Sequence, residues 1–144
     1  MSDFERSLFS LLDISGAIHQ FNKASEQRLG ISLVQWCLLR NLIDMPSATA
    51  QALAAAAGVH PSTLTQTLKR LARKGFVFIT EDPRDSRKRL VSITRAGKEC
   101  LEKSSPQLRE WLSELGPLSA DLSSVSAHLS DQVIRHRKAG DPGS

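Results

Sequence analysis

The chain has 144 residues, 40% of them apolar and 24% charged, which suits one compact domain or a two-part fold and argues against general disorder. Its net charge is only +4, but ten cations against three carboxylates between Lys69 and Lys98 make a local +7 and leave −3 for the remainder. A basic stretch inside a near-neutral chain is the footprint expected of phosphate binding. No run approaches the ~20 apolar residues of a membrane helix. The N-terminus lacks the basic start of a secretory signal, and Cys37 and Cys100 make no disulfide framework, so a cytoplasmic location is expected.

In chain order, Phe4, Leu8, Leu11, Leu12, Ile18 and Phe21 recur at helical steps and predict one long amphipathic helix from Asp3 to Leu29, stopped at Gly30. Ser32 is placed to cap a second helix carrying Val34, Leu38, Leu39 and Leu42 and ending before Met45-Pro46. A short alanine-rich helix from Ala50 to Gly58 and another from Pro61 to Lys74 follow, with only a tight turn between them. Phe76–Thr80 and Leu90–Thr94 are rich in β-branched and aromatic residues and read as two strands. The polar run Asp82–Arg89 reads as the basic loop joining them. Thr94 caps a further helix to Leu115, Gly116-Pro117 breaks it, and a last helix spans Ser119–Arg137 before a tail, 139–144, expected to be disordered.

The two short helices carry the first functional signal. Ala54, Gly58 and Leu64 supply the small contact residue, the turn glycine and the apolar anchor that a helix-turn-helix needs. On the second helix, Leu64, Leu68 and Leu71 fall within about 60° of arc and define a buried face. Ser62, Gln66, Lys69, Arg70 and Arg73 lie around the opposite side, with Thr63 and Thr65 on the flanks. Hydroxyls and an amide near the N-terminus suit base edges in a major groove, and cations toward the C-terminus suit phosphates. Any amphipathic helix turns polar residues outward, so this helix alone does not decide. The hairpin does: Arg84, Arg87, Lys88 and Arg89 sit beside it, and an arginine at a hairpin tip can enter a minor groove. Asp85 has two readings, as a brace for the Arg87 guanidinium or as a stabiliser of the turn.

From Thr49 through Gly97 the chain resembles the MarR family of winged helix-turn-helix regulators. The resemblance rests on Leu53-Ala54 leading to Gly58-Val59, on Leu71 leading to Gly75-Phe76-Val77, and on Asp82-Pro83, Asp85 and Arg87 leading to Leu90, Ile93-Thr94 and Gly97. It departs at Ser86, where the family commonly carries a second arginine, with Lys88 and Arg89 supplying charge nearby. The implied fold is mainly α with a small β-hairpin wing: a winged helix-turn-helix lobe at 31–94, and dimerisation helices drawn from 1–30 and 95–138. The implied function is that of a homodimeric, sequence-specific regulator, a repressor by preference, reading a pseudo-palindromic operator in duplex DNA.

Family members often bind small phenolic or aromatic acids, and His19, Trp36, Arg40 and Trp111 are the candidate pocket residues here. A redox-sensing alternative would use Cys37 or Cys100, the latter beside Arg95 and Lys98, which can lower its pKa. No metal or cofactor is expected, because the histidines and cysteines share no ligand spacing. An enzyme is not expected either: there is no Gly-x-Ser-x-Gly, phosphate loop, paired-carboxylate motif or tyrosine. A winged helix used only for protein interaction is the remaining alternative.

Overall fold

The helix boundaries follow local chemistry. In the computed structural model, which describes residues 1–140, the first helix, α1 (Asp3–Leu29), opens with a capping box between Ser2 and Glu5 and closes at Gly30. A second capping box, Ser32 with Gln35, starts α2 (Leu33–Asp44). Thr49 accepts a hydrogen bond from the Ala52 amide to start α3 (Ala50–Ala57), and Gly58 ends it at φ +64°. That left-handed conformation lets the Gly58 and Val59 amides reach the carbonyls of Ala55 and Ala54, so the chain reverses within three residues into α4 (Pro61–Arg73).

The sheet is small and antiparallel. β2 (Val77–Asp82) pairs with β3 (Asp85–Ile93), and β3 also pairs with β1 (Ala48–Thr49), giving the order β1-β3-β2. The basic segment 85–89 is therefore strand, not the loop expected from its polarity, and the connection shrinks to Pro83-Arg84. Ladder pairing continues to Asp82 opposite Asp85, past an irregularity at Glu81/Asp82. Both faces of the hairpin end are exposed, so backbone bonds rather than burial extend the strands, and no apolar alternation marks them. β1 was not expected at all, since two residues carry no pattern.

Met1–Ser105 forms one compact unit, and the chain from Pro106 onward forms a second. Within the first unit, one core gathers Ile31, Leu38, Leu39, Leu42, Leu53, Leu64, Leu68, Leu71, Val77, Val91 and Leu101. Helix α5 (Arg95–Trp111) starts where Thr94 Oγ1 accepts the Gly97 amide and donates to the Gly75 carbonyl. It stops four residues before the expected Leu115, and Ser113–Leu118 forms a 3-10 turn containing Gly116 and Pro117. Proline lacks the amide for an α-helical bond and disfavours helical geometry in the residue before it, so the break reaches back one turn. The last helix, α6 (Ser119–Ala139), runs past the expected Arg137 to include the first residue of the expected tail, and 141–144 lie outside the described residues.

Gly97 tests this packing. A Cβ there would overlap the Phe76 carbonyl oxygen and stand 2.8 Å from Ile93 Cγ1. Helix propensity alone favours Gly→Ala by ~1 kcal/mol, but a backbone oxygen cannot step aside. Gly97→Ala is expected to destabilise the fold by about 1–3 kcal/mol in urea unfolding; a gain in stability would show that α5 does not press on Phe76 and the end of β3 in this way.

Candidate nucleic-acid interface

Helix α4 is built to be sunk on one side and open on the other. Leu64, Leu68 and Leu71 are 2%, 5% and 0% exposed. The residues singled out from sequence on its other faces, Ser62, Thr63, Thr65, Gln66, Lys69, Arg70 and Arg73, are all exposed. Two of its threonines bond back along the helix: Thr65 Oγ1 donates to the Pro61 carbonyl at 3.0 Å and Thr67 Oγ1 to that of Thr63 at 2.8 Å. With their hydrogens so engaged, these hydroxyls offer outward only lone pairs.

The N-terminus of α4 holds a residue the sequence reasoning missed. His60 is its cap, and Nδ1 accepts the Ser62 amide at 3.2 Å and lies 2.7 Å from Ser62 Oγ. Pro61 follows at the first helical position, where the missing amide costs nothing. The cap signal was a histidine directly before proline, a weaker one than serine or aspartate.

At the hairpin end, Asp85 performs both of its proposed tasks. Oδ1 accepts the Arg87 amide and Arg87 Nε, each at 3.1 Å, and Oδ2 accepts a guanidinium N–H at 3.3 Å. These bonds hold the Asp85 carboxyl below its ordinary pKa, while the Arg87 side chain remains 89% exposed. Asp82 makes the matching turn bond to the Arg84 amide at 2.9 Å. Arg89 faces Glu81 across the ladder at 3.8 Å, so part of its charge is answered within the hairpin.

The positive charge near the end of α4 is also partly answered. Lys74 Nζ donates to Glu26 Oε1 at 3.0 Å, the Gly30 carbonyl at 2.9 Å and Gln35 Oε1 at 3.0 Å. Arg70 lies 3.4 Å from the same Glu26 oxygen. Nearby, Asn22 Oδ1 accepts the Leu33 and Val34 amides, and buried Ser25 donates to the Ile31 carbonyl at 2.6 Å. The sequence reading counted Lys74 with the phosphate-binding charge, whereas the structure directs it inward. Asn22, Ser25 and Glu26 went unread, although three- and four-residue steps put them on one face where the apolar stripe of α1 ends. Burial pushes the Glu26 pKa up, but hydrogen bonds from Lys74 and Gln35 and the charges of Lys74 and Arg70 outweigh it and leave it lowered.

The pocket candidates are dispersed in role. Trp36 Nε1 donates to Ser105 Oγ at 3.0 Å, Arg40 pairs with Asp44 at 3.1 Å, and His19 is exposed on α1. Trp111 is exposed at the end of α5, in the second unit. Both cysteines are free thiols, and burial raises the pKa of each. For Cys100 this corrects the expected lowering by Arg95 and Lys98: Lys74 and Lys103 are the cations that act on it, and burial outweighs them.

A helix pair joined by a glycine turn, followed by an antiparallel hairpin, defines a winged helix-turn-helix protein. The MarR family model matches residues 29–88. An HTH-type transcriptional regulator of Mycobacterium leprae is 31% identical over 105 residues, 72% of this chain and 73% of that protein. The chain belongs to the MarR family of DNA-binding transcriptional regulators. The transcriptional activatory protein BadR of Rhodopseudomonas palustris is 27% identical over 144 residues, covering 96% of this chain and 82% of BadR. The homoprotocatechuate degradative operon repressor of Escherichia coli is 25% identical over 126 residues, 87% and 85% of the two chains. Among solved structures, reduced AbfR bound to DNA aligns with a TM-score of 0.75 at 22% identity over 90% of this chain and 94% of that one. NadR in complex with 4-hydroxyphenylacetate aligns with a TM-score of 0.58 at 21% identity over 87% and 89%. These two likenesses show the fold. Among the described residues, no helix is long and apolar enough to cross a membrane.

Two outcomes are expected. The unfolded chain binds a proton at Glu26 more tightly than the folded one, so this carboxylate stabilises the fold above its ordinary pKa of 4.5 and ceases to as pH falls through the lowered folded value. The stability gap between wild type and Glu26→Gln in urea unfolding should therefore narrow below pH 4.5; a constant gap would contradict it. Raised thiols should also alkylate more slowly at neutral pH than a free cysteine, and faster labelling of Cys100 would restore the redox alternative.

Proposed function

We propose that two copies of this chain form a cytoplasmic homodimer that reads a pseudo-palindromic operator and represses transcription from it, without catalysis. Helix α4 enters the major groove and the wing, 82–89, the minor groove. The observation that carries this reading is the seating of α4: its leucines are buried and every polar residue on it predicted to touch DNA is exposed.

Ser62, Thr63, Thr65 and Gln66 face base edges. Thr65, with its hydrogen already committed, meets base amino groups rather than base acceptors. Lys69, Arg70 and Arg73 reach phosphates, as do Arg84, Lys88 and Arg89, while Arg87, braced by Asp85, inserts into the minor groove.

Dimerisation is supported by apolar surface that one chain leaves uncovered. Phe4, Leu8, Leu12 and Ile18 are exposed on α1, and Leu122, Val125, Leu129 and Val133 on α6. These faces, from 1–30 and 95–138, are the ones a second copy covers, leaving 31–94 as the reading lobe. Two α4 helices then stand about one duplex turn, ~34 Å, apart.

A small aromatic acid releases the operator by favouring a different separation of the two α4 helices. The likeness to NadR with 4-hydroxyphenylacetate and to a repressor of homoprotocatechuate degradation supports this class of ligand. His19, Trp36, Arg40 and Trp111 are the residues to test for it. BadR is an activatory protein, so the sign of regulation needs its own reporter measurement.

Selection of bound duplexes from a random pool should enrich an inverted repeat with half-sites about 10 base pairs apart, bound with a steep salt dependence. Enrichment of nothing, with weak salt-insensitive binding, would turn the search to protein partners. Arg87→Ala should weaken binding most on A·T-rich flanks, and unchanged affinity would remove the wing from the mechanism. Gln66→Ala should relax base preference by ~1–3 kcal/mol at one position per half-site; a uniform loss across sequences would make it a backbone contact.

A further inference from the structure

The leucine ridge under α4 seats it in the core shared with α2, α3 and the sheet, and polar bonds carry it on to α1. Apart from the Arg70–Glu26 ion pair at 3.4 Å, the other polar bonds at this helix are local: Ser62 to His60, Thr65 to Pro61 and Thr67 to Thr63. Lys74 is different. It caps the C-terminal end of α4 and bonds three oxygens in separate parts of the unit, one on α1, one in the link after it and one on α2.

The geometry also separates Lys74 from a phosphate contact. Its three ammonium protons have three acceptors at 2.9–3.0 Å, which exhausts its donors. Its side chain is 27% exposed against 58% for Arg70, which lies farther from the shared Glu26 oxygen. The acceptors are themselves fixed. Gln35 Nε2 donates to Glu26 Oε1 at 3.2 Å, and its Oε1 accepts the Ser32 amide at 3.2 Å, so the node is part of the cap of α2.

We propose that Glu26, Gln35 and Lys74 form a tether that sets the angle of the recognition helix against α1, making Lys74 and Glu26 positioning residues for operator spacing. This rests on the dimeric DNA-reading proposal above. Because α1 is among the helices assigned to pairing, a helix held rigidly to it presents its partner helix at one separation. A helix freed from it tolerates several.

The test uses the full chain, the duplex obtained by selection, and versions of that duplex with one or two base pairs inserted at the centre. Wild type should discriminate the native spacing from the insertions, and Lys74→Met should lower that discrimination about fivefold or more while still unfolding cooperatively. Glu26→Gln keeps an acceptor but loses the charge, and should fall between them. Lys74→Arg, which restores a cationic donor, should recover part of the discrimination. The salt dependence of Lys74→Met should match wild type. A slope reduced by about two, one per subunit, would make Lys74 a phosphate contact and overturn the tether. Should Lys74→Met fail to fold, Glu26→Gln is decisive by itself: unchanged spacing discrimination in that folded variant overturns the proposal. A wild-type chain that selects no duplex overturns the DNA-reading proposal instead.

Discussion

The first unit depends on burying one face of a thirteen-residue helix. Leu64, Leu68 and Leu71 each belong to the same core as Leu38, Leu39 and Leu42 of α2, Leu53 of α3 and Val77 and Val91 of the sheet. Deleting one such leucine to alanine typically costs 2–5 kcal/mol, a large share of the ~5–15 kcal/mol that holds a domain together. Any sequence that keeps these leucines must also turn the remaining faces of α4 to solvent. The exposed faces of α4 are thus a by-product of the packing requirement.

Around that ridge, polar groups supply what apolar packing cannot. The Gly58 turn fixes how α3 meets α4, and the Thr94 hydroxyl joins the exit of the hairpin to the start of α5. Acidic residues organise the basic ones. Asp85 directs Arg87, Glu81 answers Arg89, and Glu26 gathers Lys74 and Arg70. Lys74 is thereby drawn into the fold, whereas Arg70, Arg87 and Arg89 stay exposed beside their acidic partners.

This division explains what could be read from the residues alone. The helices with strong caps or strong periodicity, α1 through α4, were legible because one local cause decides each end. The exposed face of α4 was legible for the same reason, since burial of three leucines dictates it. The hairpin strands beyond residue 80 were not, because pairing rather than burial extends them. Lys74 was misread because charge counting is blind to partners 48 residues away, and the node at Glu26 forms only once α1, α2 and α4 are brought together. His60 escaped because its role depends on the side chain folding over Ser62, which composition does not show. Cys100 was misread for a related reason: Arg95 and Lys98 are near in sequence, but the cations that act are Lys103 and the distant Lys74, and burial outweighs both.

We propose that α4 and the wing together are the surface that meets DNA. Backbone amide shifts followed by NMR during titration with a selected duplex test it most directly. The largest changes should fall on 60–73 and 82–89, with smaller changes spreading through the Glu26 node. Changes concentrated instead on α6, with α4 and the wing unmoved, would contradict it.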